Sequence, residues 1–197
     1  MAKDPKKRRE VRLFPGKIPK VTVAVVGIGR VGLPLALFLA EKGHTVYGLD
    51  VDQDKVNSIA RGQMPFMEDG AQELLTKYVK KTFLPTVDFS NITKAKVIIL
   101  TLGTPVDENM NPSLVQIDKA LETARPYLKR DQLLILRSTV SPGTTQYVKS
   151  YLTEQGFKVG INFFLAFCPE RIAEGRSIAE LAEIPQIVGG IDLQSSQ

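Results

Sequence analysis

The chain has 197 residues, 43% apolar and 24% charged, with a formal net charge of +5, a size that supports one domain with a full core or one domain and the start of a second. Its single Cys excludes an internal disulfide, and one His beside one Cys offers no ligand cluster of zinc-type spacing. No run approaches the ~18 apolar residues of a membrane span, and with nothing asking for an oxidising compartment the expected location is cytoplasmic.

The charge is local. Residues 1–20 hold eight Lys or Arg against two acids, while the remaining eighteen bases and nineteen acids nearly cancel. With Pro5, Pro15, Gly16 and Pro19, this stretch reads as a flexible basic extension. It runs into Pro and Gly rather than an apolar segment, so no secretory signal is expected. Solubilisation is its simplest role, and a nucleic-acid or membrane contact is the alternative.

VTVAVV (21–26) is a β-branched apolar run ending at a glycine, as a buried parallel strand requires. RVGLPLALFLAEKG (30–43) predicts a helix with Pro34 in its first turn and Gly43 as its stop. HTVYGLD (44–50) predicts a second strand, and residues 52–62 a helix capped by Asp52 and stopped by Gly62. An amphipathic helix is predicted over 71–81, a strand over 96–102, a helix over 114–128 and a strand over 132–139. A helix over 141–156, a strand over 161–167 and a last strand within 185–190 follow. Alternating strands and helices imply an α/β domain with a parallel sheet over 21–197. No internal repeat is present. Only seven residues follow the last strand, where a further helix is expected to begin, which reads as the edge of a fragment.

Gly27-Ile28-Gly29-Arg30-Val31-Gly32 fits G-x-G-x-x-G, with a strand before it and a helix opening within it. Gly27 allows the tight turn, Gly29 lets a pyrophosphate approach the backbone, and Gly32 allows close helix–sheet packing. Asp50 follows at the end of the next strand, where an acid accepts ribose hydroxyls and repels a 2′-phosphate. The expected cofactor is NAD. The plain alternative is a glycine-rich turn without a ligand.

His44 stands in a predicted turn, with no Cys or Asp partner to make it an acid–base pair. The remaining candidates fall at predicted C-terminal strand ends: Gly103-Thr104-Pro105, Arg137 to Thr145, and Cys168-Pro169-Glu170-Arg171. Each has a structural alternative. Thr139 and Ser141 are good helix caps, Pro142 suits a first helical position, and Glu170 could be a surface carboxylate paired with Arg171 or Arg176. Cys168 follows an apolar strand, where a free thiol behaves as a small hydrophobe.

GIGRVGLPLALFLA, GLDVD, ARGQMPFMEDG, LGTPVDENMNPSL, RSTVSPGTT, CPERIAEG and PQIVGG occur in this order. Together they resemble the NAD-dependent nucleotide-sugar 6-dehydrogenases, the UDP-glucose and GDP-mannose dehydrogenase family, over nearly the whole chain after residue 20. The CPERIAEG and TPVDEN forms look most like the UDP-N-acetyl-D-mannosamine dehydrogenase branch. The resemblance implies a Rossmann-type doubly wound, mostly parallel sheet with helices on both faces. It implies oxidation of a UDP-sugar C6 alcohol to a carboxylate by two NAD, through a thiohemiacetal and a thioester. Glu170 would serve thioester hydrolysis, and Thr139 would position water or substrate and touch the cofactor. Besides residues 27–32 and Asp50, the cofactor would be lined by Lys55, Leu102, Thr104, Pro105, Ser138, Val140 and Glu174. Arg171, Ile172 and Ala173 would lie beside the substrate with Glu170, and Glu68 matches an acid near the active site.

By the same resemblance, the nucleophilic Cys belongs to a later segment, and Cys168 matches a variable position before Pro-Glu. These residues alone are then expected to bind NAD without turnover, and the full-length protein to form a homodimer or larger homo-oligomer with no nucleic-acid or membrane partner. Two departures stand out: Ser113 where the family often has Asp, and the basic extension. A UDP-glucose or GDP-mannose dehydrogenase, a two-electron hydroxyacid-type dehydrogenase, and a stand-alone NAD-binding module are the alternatives.

Overall fold

The computed structural model describes residues 19–103, 114–173 and 175–196. In chain order the elements are β1 (Thr22–Val26), α1 (Gly32–Glu41), β2 (Thr45–Leu49), α2 (Gln53–Ala60), α3 (Ala71–Tyr78), β3 (Phe83–Thr86) and β4 (Val97–Leu100). They continue with α4 (Val115–Ala124), β5 (Leu133–Leu136), α5 (Thr144–Glu154), β6 (Phe164–Phe167), α6 (Ser177–Glu183) and β7 (Gly189–Gly190). The sheet order is β3-β2-β1-β4-β5-β6-β7, parallel except for β7, which runs antiparallel to β6. This is the doubly wound Rossmann-type topology, and its order reverses between β1 and β4.

Strand alternation builds two core layers. Val23 and Val25 pack with Leu33, Leu37, Ile59 and Leu75 on one face. Ala24 and Val26 pack with Ile117, Leu121, Val148 and Leu152 on the other. Because successive strand side chains point to opposite faces, β1 must be apolar throughout, which is why its sequence shows no polar alternation. Helix α1 is buried nearly all round, from Gly32 to Leu37 and at Ala40. Pro34 sits in its first turn, where a missing N–H leaves no helix bond unmade. Asp52 caps α2 by accepting from the Lys55 N–H at 3.0 Å, and Gly43 and Gly62 take positive φ beyond their helices.

Several boundaries differ from the sequence reading. The predicted helix over 71–81 stops at Tyr78, because Val79 is extended and Lys80 takes φ 60° in a turn closed by its N–H to the Phe83 carbonyl. That turn feeds β3, which the sequence reading lacked. FLPT is short and contains Pro85, which is tolerated because β3 is the sheet edge. The helix over 114–128 gives way to a 3-10 turn at Arg125, beside Pro126. The helix over 141–156 starts only at Thr144, after Gly143 at φ 88°, and no side chain caps it, so neither Thr139 nor Ser141 is its N-cap. The strand within 185–190 shortens to two residues, and α6 was not predicted. His44 is half-buried in the turn before β2, its Nδ1 accepting the Val21 N–H at 3.2 Å. Among the described residues no helix is long and apolar enough to cross a membrane.

Candidate functional site

Sheet register sets the site. Val26, Leu49, Leu100, Leu136 and Phe167 lie in one row across β1, β2, β4, β5 and β6. The residues that follow them, Gly27, Asp50, Thr101, Arg137 and Cys168, therefore form the next row, at the carboxyl edge where open α/β sheets bind ligands. Main-chain bonds hold this row: the N–H groups of Gly27, Thr101, Arg137 and Cys168 donate to the Leu49, Val26, Leu100 and Leu136 carbonyls at 2.7 to 2.9 Å.

The glycine turn is held from two sides. Thr101 Oγ1 donates to the Gly27 carbonyl at 2.6 Å, and the Asp50 carboxylate accepts the Ile28 N–H at 3.1 Å. Gly27 has φ 92°, and a Cβ there would stand 2.7 Å from the Thr101 carbonyl oxygen. A Cβ on Gly32 would overlap the Gly27 carbonyl and the Thr101 hydroxyl. Gly29 differs: nothing lies within 4 Å of where its Cβ would be. Two glycines thus serve packing, and the third leaves open space beside the backbone at the start of α1. That space suits phosphate, with the N-terminal, positive dipole end of the helix next to it.

Asp50 is 8% exposed. Its Oδ2 accepts from Ile28 and from Lys55 Nζ at 2.9 Å, and its Oδ1 accepts from the Asp52 N–H at 3.1 Å. A carboxylate oxygen has room for about two donors, so Oδ1 can still accept from a ligand hydroxyl. Beyond Asp50 lies a cavity of about 140 Å³ lined by Val51, Phe89, Leu102, Lys119 and Thr123 among others. A mainly apolar slot next to a hydroxyl acceptor fits a nucleoside. The chain's own residues therefore fit a dinucleotide.

The predicted lining residues are placed as follows. The Ile28 side chain is fully buried in the core, so only its main chain faces the turn. The Arg30 guanidinium lies 5.4 Å from the Phe66 ring centroid, which brings the 61–70 loop against the glycine turn. Val31 is the N-cap residue of α1. Ser138 Oγ donates to the Leu102 carbonyl at 2.5 Å, joining the ends of β4 and β5. Val140 packs beside Leu102, and Thr139 between them in sequence is exposed. Thr104, Pro105, Ser113 and Glu174 lie outside the described residues.

Glu170 does not pair with the side chain of Arg171 or Arg176. It forms a two-point ion pair with Arg137, Nε to Oε2 at 3.1 Å and Nη2 to Oε1 at 3.3 Å. Its Oε1 also accepts the N–H groups of Arg171 and Ile172 at 2.7 and 3.0 Å. Ala173 donates its N–H to Glu180 at 2.8 Å. Glu68 accepts from the N–H groups of Gly175 and Ser177, which fastens the 61–70 loop to the start of α6. Cys168 is 6% exposed, and its sulfur accepts from Arg137 Nη1 at 2.8 Å. Arg137 and Thr101 were given no role by sequence reasoning. The available signal was a polar residue directly after an apolar strand, as in LLILR and VIILT. Among the described residues, no group of three or more His, Cys, Asp or Glu stands where it could hold a metal ion.

Known proteins resemble the chain in sequence and fold. The chain is 34% identical over 178 residues to a UDP-N-acetyl-D-mannosamine dehydrogenase of Methanococcus aeolicus, covering 89% of this chain and 40% of that protein. Its structure superposes on the NDP-N-acetyl-D-galactosaminuronic acid dehydrogenase of Methanosarcina mazei with a TM-score of 0.83 at 34% identity, covering 90% of this chain and 40% of that one. The UDP-D-ManNAc dehydrogenase of Pyrococcus horikoshii superposes with a TM-score of 0.85 at 28% identity, covering 88% and 42%. The chain thus spans about 40% of the length of these relatives. The family model for the NAD binding domain of the UDP-glucose/GDP-mannose dehydrogenases matches residues 21–197. The chain therefore belongs to the UDP-glucose/GDP-mannose dehydrogenase family and carries its NAD-binding domain.

Proposed function

We propose that the chain is the cofactor-holding part of a cytoplasmic nucleotide-sugar 6-dehydrogenase that oxidises the C6 alcohol of a UDP-sugar to a uronate. UDP-N-acetyl-D-mannosamine is the preferred substrate of this reading, supported by the relatives named for it. UDP-glucose and GDP-mannose are the alternatives. The observation that carries the reading is the single row at the carboxyl edge, where Gly27 and Asp50 stand level with Arg137, whose side chain holds Glu170. One edge then offers a dinucleotide seat and an acid together.

Bound NAD supplies the hydride acceptor, twice per substrate. The protein seats it with the open backbone at Gly29, the Asp50 carboxylate, and a wall made by Leu102, Ser138 and Val140. Thr104, Pro105 and Glu174 complete that wall in this reading. Lys55 holds Asp50 in place. Arg171, Ile172 and Ala173 border the sugar. Glu170 orients a water by accepting its hydrogen bond, with Thr139 beside it. Cys168 is not the nucleophile in this reading: it is 6% exposed and stands at the end of an apolar strand, where a free thiol packs as a small hydrophobe. The thiol comes from residues outside these 197, in a homo-oligomeric enzyme, and the basic extension serves solubility rather than nucleic-acid or membrane contact.

Calorimetric titration of the chain with NAD and NADP, wild type and Asp50→Ala, tests this. NAD binding that exceeds NADP binding and falls with Asp50→Ala is expected. No binding, or equal binding of NADP, overturns it. Turnover of UDP-N-acetyl-D-mannosamine by these residues alone would return Cys168 to the nucleophile's role.

A further inference from the structure

We infer that Arg137 is the positioning residue for Glu170, holding Oε1 as the anchor and leaving Oε2 as the working atom. The inference rests on the proposed function.

Arg137 is 3% exposed at the end of β5. Burying a guanidinium is costly unless its donors are paired. Here three side chains pair it. Glu170 takes Nε and Nη2, while Cys168 Sγ and Gln186 Oε1 take Nη1 at 2.8 and 2.6 Å. The guanidinium plane is therefore fixed from two directions, by the end of β6 and by the segment leading to β7. A planar fork held on one side presents a rigid two-point template on the other.

The carboxylate it holds is used unequally. Oε1 accepts three donors, from Arg137, Arg171 and Ile172. Oε2 accepts one among the described residues, from Arg137 Nε. With room for about two donors per oxygen, Oε1 is saturated and Oε2 can take one more. That oxygen is where a water would be oriented. In the proposed reaction the water oxygen bonds to the acyl carbon of the thioester and the C–S bond breaks. Sulfur leaves as thiolate, the product is a carboxylate, and two protons pass to solvent. Lysine in place of Arg137 could neutralise Glu170 but could not hold both oxygens and Gln186 in one plane.

A structural role alone, tying β5 to β6 and the β7 segment, is the competing explanation. The complete enzyme of the proposed reading separates the two, using Arg137→Gln, Arg137→Lys, Glu170→Gln and the Arg137→Gln/Glu170→Gln double variant. NADH release with NAD and UDP-N-acetyl-D-mannosamine is followed from the first turnover. Arg137→Gln is expected to keep a burst of NADH and lower steady-state kcat by ~10²-fold, with KM and NAD affinity within about threefold of wild type. Arg137→Lys should recover about tenfold of the loss. In the Glu170→Gln background, Arg137→Gln should add less than about threefold, because coupled residues are not additive. Unchanged kcat in Arg137→Gln, or losses that multiply in the double variant, would overturn the inference. So would a fall in NAD affinity parallel to kcat. If Arg137→Gln does not fold, Arg137→Lys decides: reduced kcat at unchanged KM supports the inference, and wild-type kcat overturns it. Wild-type enzyme that releases no NADH with the UDP-sugar overturns the proposed function itself, and the positioning role with it.

Discussion

The Asp50 carboxylate accepts the main-chain N–H of Ile28 at 3.1 Å, across 22 positions of sequence. One acid therefore both shapes the glycine turn and faces the nucleoside cavity. Asp50→Ala should weaken NAD binding by at least tenfold, consistent with about 1.5–3 kcal/mol for hydrogen bonds to a charged group. Asp50→Asn keeps an acceptor for Ile28 and should lose less. Calorimetry of the three proteins checks the order. Equal losses for Ala and Asn would mean that the charge, not the turn, dominates.

The glycines of the turn should respond differently to the same substitution. Gly29→Ala meets open space, so the melting temperature should stay within about 2 °C while NAD binding falls at least tenfold where backbone and phosphate must touch. Gly32→Ala drives a methyl into the Gly27 carbonyl and Thr101. Overpacking against backbone costs about 3 kcal/mol, read in a domain of this size as a fall of about 6–12 °C. Thermal scans with and without NAD separate the two behaviours.

Cys168 should prove structural. Cys168→Ser keeps an acceptor for Arg137 and should leave NAD affinity unchanged. A thiol reagent should label the native chain far more slowly than the chain in denaturant, since the residue is 6% exposed. Rapid native labelling would contradict the buried placement.

An alkaline transition is expected between α4 and α5. Burial, together with the bond its hydroxyl donates to Glu122 at 2.7 Å, pushes the Tyr151 phenol up to about 12. Tyr147, bonded to Asp118, moves in the same direction. The folded state thus favours the neutral phenol. Its contribution is complete below about pH 10 and is lost as pH rises toward 12. Tyr151→Phe should be less stable than wild type by about 1 kcal/mol near pH 8, with the gap closing by pH 12. Denaturant unfolding at a series of pH values reads it directly.

Much of this was legible in residue order. The β1 run, Gly27 to Gly32, Asp50 and the caps at Asp52 and Gly62 are local signals: each residue's role depends on neighbours a few positions away. Non-local elements were not legible. Helix α6 depends on Glu68, 109 residues earlier, to take its first N–H. The Glu170 carboxylate looked like a partner for Arg171 or Arg176 because those are close in sequence, whereas its partner is Arg137, 33 residues away. Sheet register, not spacing, brings that pair together. The short edge strand β3 failed for another reason: four residues with a proline carry too little periodicity to stand out against a turn.

The Thr101 hydroxyl closes the Gly27 turn across 74 positions of sequence, which gives the cofactor seat a schedule. The first strand, helix and second strand can supply the glycines and Asp50, but not the clamp. A growing polypeptide leaving the ribosome gains a clamped glycine turn only once β4 has emerged and slotted in beside β1. In nested truncations nucleotide affinity would therefore stay absent until that strand is included, and ligand capture would report that the two halves of the sheet have met.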